Sequence, residues 1–174
     1  MTRCPITYQL LSKEELEIGY SKKGLALLSP SLKFLNPLPY TSEQLRTEGM
    51  QRSAKMSIQG IQAKVSAIIK PSGGQIELVN TRGRYIIKPQ SAQYNQLPEN
   101  EDLTMKMAAV INIKVPPHGL IKSKDGSLSY IVKRFDRISQ NSKLAVEDFA
   151  QLANKNRETK YNSSIEQVVS LIEK

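Results

Sequence analysis

Residues 84–89, Arg84-Tyr85-Ile86-Ile87-Lys88-Pro89, form a short β-branched run that ends on a lysine and is closed by a proline. Upstream lies Ser57-Ile58-Gln59-Gly60-Ile61-Gln62-Ala63-Lys64, and downstream Pro98-Glu99-Asn100-Glu101. In that order the pieces read as a loop that covers phosphate, a lysine that pairs with phosphate, and an acid that holds the lysine. Such a lysine needs a rigid strand beneath it and a carboxylate to fix its position while it reaches the phosphates. Glu101 precedes an apolar helical stretch, and a carboxylate on a first turn is also favoured by the helix dipole. Gly60 supplies a point where backbone can approach oxygens closely. No Gly-x-Gly-x-x-Gly run and no P-loop occurs. Each piece alone therefore also fits a plainer reading: a turn before a strand, a surface lysine at a strand end, a glutamate at a helix start.

The flanking sequence predicts an α+β fold. Val65-Ser66-Ala67-Ile68-Ile69 is β-prone, Gly73-Gly74 supplies a turn, and Ile76 and Leu78 alternate with polar neighbours. Tyr85-Ile86-Ile87 makes a third strand. Leu103, Met107, Val110 and Ile111 recur at the spacing of one helix face, and Pro116-Pro117 would stop any continuation. Gly119-Leu120-Ile121 and Ser129-Tyr130-Ile131-Val132 flank Asp125-Gly126, a hairpin signature. The first forty residues, punctuated by Gly19, Gly24, Pro30, Pro37 and Pro39, predict an irregular arm. Thr41-Ser42-Glu43-Gln44 has capping-box spacing and predicts a polar helix to about Arg52. Beyond Arg137, Phe149, Leu152 and Ala153 share a helical face. Ser163-Ser164-Ile165-Glu166 reads as a second capping box, followed by Ile165, Val168, Val169 and Ile172.

Composition narrows the function classes. The chain has 174 residues, 39% of them hydrophobic and 24% charged, and no apolar run of membrane-spanning length. The N-terminus lacks the apolar core of a secretory signal, so cytoplasmic residence is the expectation. A single cysteine, Cys4, excludes an intrachain disulfide and a cysteine-rich zinc site. His118 is the single histidine, without metal partners at ligand spacing, and reads as structural or exposed. The net charge of +9 permits an anionic partner. The basic residues are dispersed and only 6% of residues are aromatic, so direct nucleic-acid binding is not expected. Asp136, Glu147 and Asp148 are candidate carboxylates. Phe135-Asp136-Arg137 has the wrong order for a metal-binding Asp-Phe-Gly triplet, and no metal site is predicted.

Seven ordered blocks resemble HipA-like serine/threonine kinases, the toxins of HipBA-type toxin–antitoxin modules. They are Lys55 to Ser66, Gly83 to Pro89, Leu97 to Glu101, Val115-Pro116-Pro117-His118-Gly119, Tyr130 to Arg137, Glu147 to Gln151, and Glu158-Thr159-Lys160-Tyr161. The resemblance covers about residues 41–174, and the N-terminal segment is similar to the short HipT branch, whose N-terminal subdomain is a separate small protein. It implies a kinase-like small lobe with an antiparallel sheet and helix, followed by the first helices of a truncated large lobe. The implied divisions are residues 1–52, an arm and polar helix; 53–137, the small lobe with its glycine-rich loop and hinge; and 138–174, the start of the large lobe.

The resemblance also assigns roles. Gly60 would lie in the loop over ATP, Lys88 would contact its phosphates, and Glu101 would hold Lys88. Lys133 and Phe135 would lie on the hinge that meets adenine through backbone groups. Ser57 matches the serine that members autophosphorylate; where some members carry a second serine, this sequence has Gln59. Family kinases act on aminoacyl-tRNA synthetases and are opposed by a HipB-like DNA-binding antitoxin, with a HipS-like small protein as a further expected partner. The Gly-Asp-x-His-x-x-Asn catalytic loop and the later metal-binding aspartate do not occur in the sequence. No catalytic residue is therefore assigned, and Mg²⁺ is expected only with a complete large lobe. The expectation is an ATP-binding amino-terminal portion, inactive alone. It would be a piece of a longer protein or the product of an interrupted gene. The alternative is a non-catalytic fragment that binds an antitoxin or a small-subunit partner.

Overall fold

β-Branched and aromatic residues suit the pleated, half-buried surface of a sheet, and the runs that carry them here are strands. The computed structural model describes residues 2–53, 62–139, 142–156, 159–160 and 162–173. Strands β1 (Val65–Lys70), β2 (Gln75–Leu78), β3 (Tyr85–Lys88), β4 (His118–Lys122) and β5 (Leu128–Lys133) form one antiparallel sheet in the order β2-β1-β3-β5-β4. Gly74, at φ 57°, closes a 3-10 turn between β1 and β2, and Gly126, at φ 79°, turns β4 into β5. With its helices the chain is α+β, as the sequence predicts. It divides into two compact units, Met1–Phe135 and Asp136–Lys174.

Residues paired across neighbouring strands share a face of the sheet. Val65, Ile87 and Ile131 lie abreast on one face, and Lys88 and Tyr130 lie abreast on the other. The first face carries the main core, and the N-terminal segment supplies much of it. The predicted irregular arm is instead helix α1 (Lys13–Ile18), helix α2 (Lys22–Leu28) and a layer of buried side chains. Cys4, Ile6, Leu25, Leu28, Leu32, Leu35 and Leu38 pack in one cluster with Val65, Ala67, Ile87 and Ile131. The local cause is capping: Ser12 and Glu15 form a capping box on α1, Gly19 ends it at φ 77°, and the Ser21 hydroxyl accepts from Gly24 N–H to start α2. Cys4 is structural, its buried sulfur accepting from the Ser21 N–H (3.3 Å) and hydroxyl (3.2 Å). A Cβ on Gly24 would come within 2.9 Å of that sulfur, so the helix approaches only because glycine stands there.

Helix α3 (Ser42–Ser53) begins on the predicted box. Gln44 N–H donates to the Thr41 hydroxyl (3.2 Å) and Thr41 N–H to Gln44 Oε1 (2.9 Å). Helix α4 (Leu97–Val110) packs on β4 and β5, but not with its apolar stripe. Leu103, Met107, Val110 and Ile111 are all exposed, Val110 at 81%, while the residues it buries are Pro98 and Asp102. The periodicity gives the helix correctly, and its inward face is the polar one, because Lys88, His118 and Tyr8 offer partners there. Its end comes before the prolines that would stop any continuation. Asn112 adopts φ 62°, Ile113 N–H donates to Ala108 O (3.0 Å) and Asn112 N–H to Ala109 O (3.1 Å). That is a Schellman ending, complete before Pro116 is reached.

In the second unit, helix α5 (Phe149–Leu152) starts at Asp148, whose capping box is closed by Gln151. Helix α6 (Ile165–Ile172) does not use the predicted Ser163–Glu166 box. Its N-cap is Ser164, without a side-chain cap bond, and the Ser163 hydroxyl donates to Gln167 instead (3.0 Å).

Burial holds several tyrosine hydroxyls neutral. It pushes Tyr20 up to about 12 and raises Tyr85, whose hydroxyl donates to Leu28 O at 2.6 Å. A tyrosine of the unfolded chain ionises near pH 10. Above that pH the unfolded state has lost protons that the folded state keeps, so stability falls with rising pH. The contribution should be intact below about pH 10 and lost as pH climbs toward 12. Urea midpoints measured across that window, alongside phenolate absorbance, check it; a midpoint unchanged through the window would contradict the burial.

Candidate functional site

Lys88 ends β3, and Pro89 follows with no N–H to extend the ladder. The side chain therefore leaves the sheet from a strand held on both sides, by β1 and by β5. Glu101 stands on α4 and forms an ion pair with Lys88 through Oε1. Both side chains are about three-quarters buried, with 22% and 25% exposure. The Lys88 ammonium also lies 5.7 Å from the ring centroid of Tyr130, its cross-strand neighbour, within cation–π range. Burial raises the Tyr130 hydroxyl well above its usual range, with the Glu101 and Asp102 charges adding to the effect. The site is thus a strand lysine whose one charge is fixed by a helix carboxylate over a neutral aromatic floor.

The chain before β1 reaches the same place. Val65 pairs with Ile87, so the segment leading into β1 lies beside Lys88. Helix α3 closes on these strand ends. Arg46 Nη1 donates to Gln90 O (2.9 Å), and a Cβ on Gly49 would come within 3.0 Å of Lys64 N. Ser57 and Gly60, assigned from the sequence to the covering loop, lie outside the described residues. A broad cleft of about 540 Å³, lined by Gln90, Asn95, Gln96, Glu99, Ser127 and Leu128, opens at the start of α4. It adjoins the Lys88–Glu101 pair without including it.

Of the two residues assigned to a hinge, Lys133 pairs with Tyr85 on the sheet face opposite Lys88, and its N–H donates to Pro117 O (2.8 Å). Arg134 N–H donates to Arg84 O (2.8 Å). Phe135 follows the last strand with a 65% exposed ring. Its backbone N–H and carbonyl have no hydrogen bond among the described residues.

The inner face of α4 carries a cluster that spacing arguments passed over. Asp102 is fully buried and accepts from the Tyr8 hydroxyl at 2.7 Å. Its Oδ1 faces Lys106 Nζ at 3.7 Å and His118 Nε2 at 3.6 Å. Lys106 Nζ donates to Ile6 O (2.6 Å) and lies 5.1 Å from the Tyr8 ring centroid. His118, read as structural or exposed, is buried, with Nδ1 against Pro116 O at 2.8 Å. Burial raises the Tyr8 hydroxyl well above its usual range, helped by its bond to Asp102. The legible signal was Asp102-x-x-x-Lys106, the spacing of helix neighbours.

The candidate carboxylate Asp148 is a helix cap. Its carboxyl is held below the usual range first by a hydrogen bond from Lys160, then by the Gln151 N–H. Among the described residues no group of three or more His, Cys, Asp or Glu side chains could hold a metal ion. No described helix is long and apolar enough to cross a membrane.

An antiparallel sheet bearing a strand lysine tied to a helix glutamate defines an α+β domain with a fixed cationic point. The sequence profile of the "HipA-like C-terminal domain" family matches residues 56–174. A protein of Haemophilus influenzae named "Putative kinase" is 32% identical over 98% of this chain and 50% of its own length. "Putative kinase Y4dM" of Sinorhizobium fredii is 30% identical over 78% of this chain and 36% of its own. The chain belongs to the HipA-like family, and it spans half or less of the length of these relatives.

Proposed function

We propose that this chain is the nucleotide-holding portion of a HipA-like protein kinase, with the sheet and α4 serving as its small lobe and ATP as its ligand. The observation that carries the reading is the Lys88–Glu101 pair, joining a strand lysine to a helix acid. A lysine so placed meets phosphate oxygens without first losing side-chain freedom, because the carboxylate has already ordered it. The kinase names of the relatives support the same reading. Backbone at Phe135 that is uncommitted among the described residues is suited to meeting an adenine edge.

Holding and transferring are separate here. Transfer depends on metal ions that bridge the phosphates and on an oriented nucleophile; neither is assigned to these residues. For the longer protein, the family resemblance extends the proposal to a toxin kinase that acts on an aminoacyl-tRNA synthetase and is opposed by a HipB-like antitoxin.

Calorimetric titration tests the phosphate grip. ATP and inorganic tripolyphosphate should compete for one site, and adenosine should be the weaker competitor. Competition by adenosine alone, or no saturable heat from ATP, would remove the reading.

A further inference from the structure

The N-terminal segment is wedged between α4 and the edge of the sheet. β4 is an edge strand, and its Leu120 N–H donates to Pro5 O (3.2 Å). Ile6 occupies the space a side chain at Gly119 would take, since a Cβ there would meet Ile6 Cγ1 at 2.8 Å. The chain then makes a tight turn, with Tyr8 N–H donating to Cys4 O (2.9 Å) and Cys4 N–H to Gln9 O (2.9 Å). The turn holds Tyr8 at φ 60°, a backbone region rarely used by a bulky side chain. From there its hydroxyl reaches Asp102, and one helical turn further on Lys106 reaches Ile6 O.

We infer that Tyr8 is a positioning residue: through Asp102 it sets the rotation of α4 and thereby holds Glu101 on Lys88. Asp102 directly follows Glu101, so the two side chains leave the helix about 100° apart. Fixing one fixes the other. Two ties a turn apart, at Asp102 and Lys106, define both the rotation and the axial position of the helix. The exposed stripe of Leu103, Met107, Val110 and Ile111 makes no comparable grip on the sheet. The bulky residue is held in its unusual backbone conformation because the turn and the buried acid both require it there.

The inference rests on the phosphate reading of Lys88 for its consequence and on geometry alone for the pair itself, so the experiment uses two readouts on the full chain. The first is protection of Lys88 from acylation, measured by mass spectrometry without ligand. The second is ATP affinity, measured well below the melting temperature of each variant. Tyr8→Phe keeps the ring under Lys106 and removes only the hydroxyl. It should expose Lys88 to acylation nearly as much as Glu101→Gln does. It should also weaken ATP binding by about three- to tenfold. In a Glu101→Gln background the same change should have no further effect on either readout, because its route to Lys88 is already gone. Additive effects would mean that Tyr8 acts only on general stability, and would overturn the inference. Unchanged acylation in Tyr8→Phe would overturn it as well. If Tyr8→Phe exposes Lys88 but neither Lys88→Ala nor Glu101→Gln alters ATP binding, the positioning role stands and the phosphate reading falls.

Discussion

Lys88→Ala is expected to weaken ATP binding by about ten- to a hundredfold, the range for losing one charge-assisted hydrogen bond of about 1.5–3 kcal/mol. The fold should survive. The Lys88–Glu101 pair is about a quarter exposed on each side, so water reaches the carboxylate left behind and the cost falls between about 1 kcal/mol for an exposed pair and about 3 kcal/mol for a buried one. Glu101→Gln should be milder, about three- to tenfold, because the ammonium that meets the phosphates is still present. Lys88→Arg should not restore full affinity: a longer, planar guanidinium places its charge differently from the compact ammonium that Glu101 holds. The measurement is calorimetric affinity together with a melting curve for each variant. An affinity unchanged in Lys88→Ala, with melting intact, would remove Lys88 from any phosphate site.

The pairing of Lys88 with Glu101 was legible because proline marks the elements that carry them, Pro89 after the strand and Pro98 at the start of the helix; the first turn expected for Glu101 is instead held by Glu99, with Glu101 just beyond it. Local signals fixed the five strands, the Gly74 and Gly126 turns and the Thr41 cap for the same reason. What stayed hidden depended on contacts between distant residues. Tyr8 and Asp102 are 94 positions apart, and no spacing rule relates them. The inward face of α4 was not legible, because apolar periodicity marks Leu103 and Met107 and carries no sign of a buried polar face. A buried polar face requires partners, here Tyr8, His118 and Lys88, that come from three other segments. The first forty residues were misread for a related reason: prolines and glycines mark turns, but they do not say whether the pieces between them pack. Ser12-x-x-Glu15 was the overlooked local sign, a capping box like the one recognised at Thr41. Ser57 and Gly60 lie outside the described residues.

The largest loss of stability should come from Asp102→Ala. Its carboxyl is fully buried and faces three partners, the Tyr8 hydroxyl, Lys106 and His118. Removing it strands a hydroxyl and an ammonium beside a cavity, and breaking a buried pair from one side typically costs about 3–5 kcal/mol. Lys106 keeps its bond to Ile6 O and is partly exposed, which argues for the lower end. Against a total of about 5–15 kcal/mol for a domain, that is enough to populate unfolded chain. Asp102→Asn retains an acceptor for Tyr8 and should cost less, about 1–3 kcal/mol. Replacing Tyr8, Asp102 and Lys106 together with Phe, Leu and Met should recover much of the loss, since no buried polar group among the three is then left unpaired. Urea unfolding of the three variants decides the matter. A cost below about 1 kcal/mol for Asp102→Ala would mean that water replaces the carboxylate, and the cluster would then be a solvated surface feature rather than the pin that fixes α4.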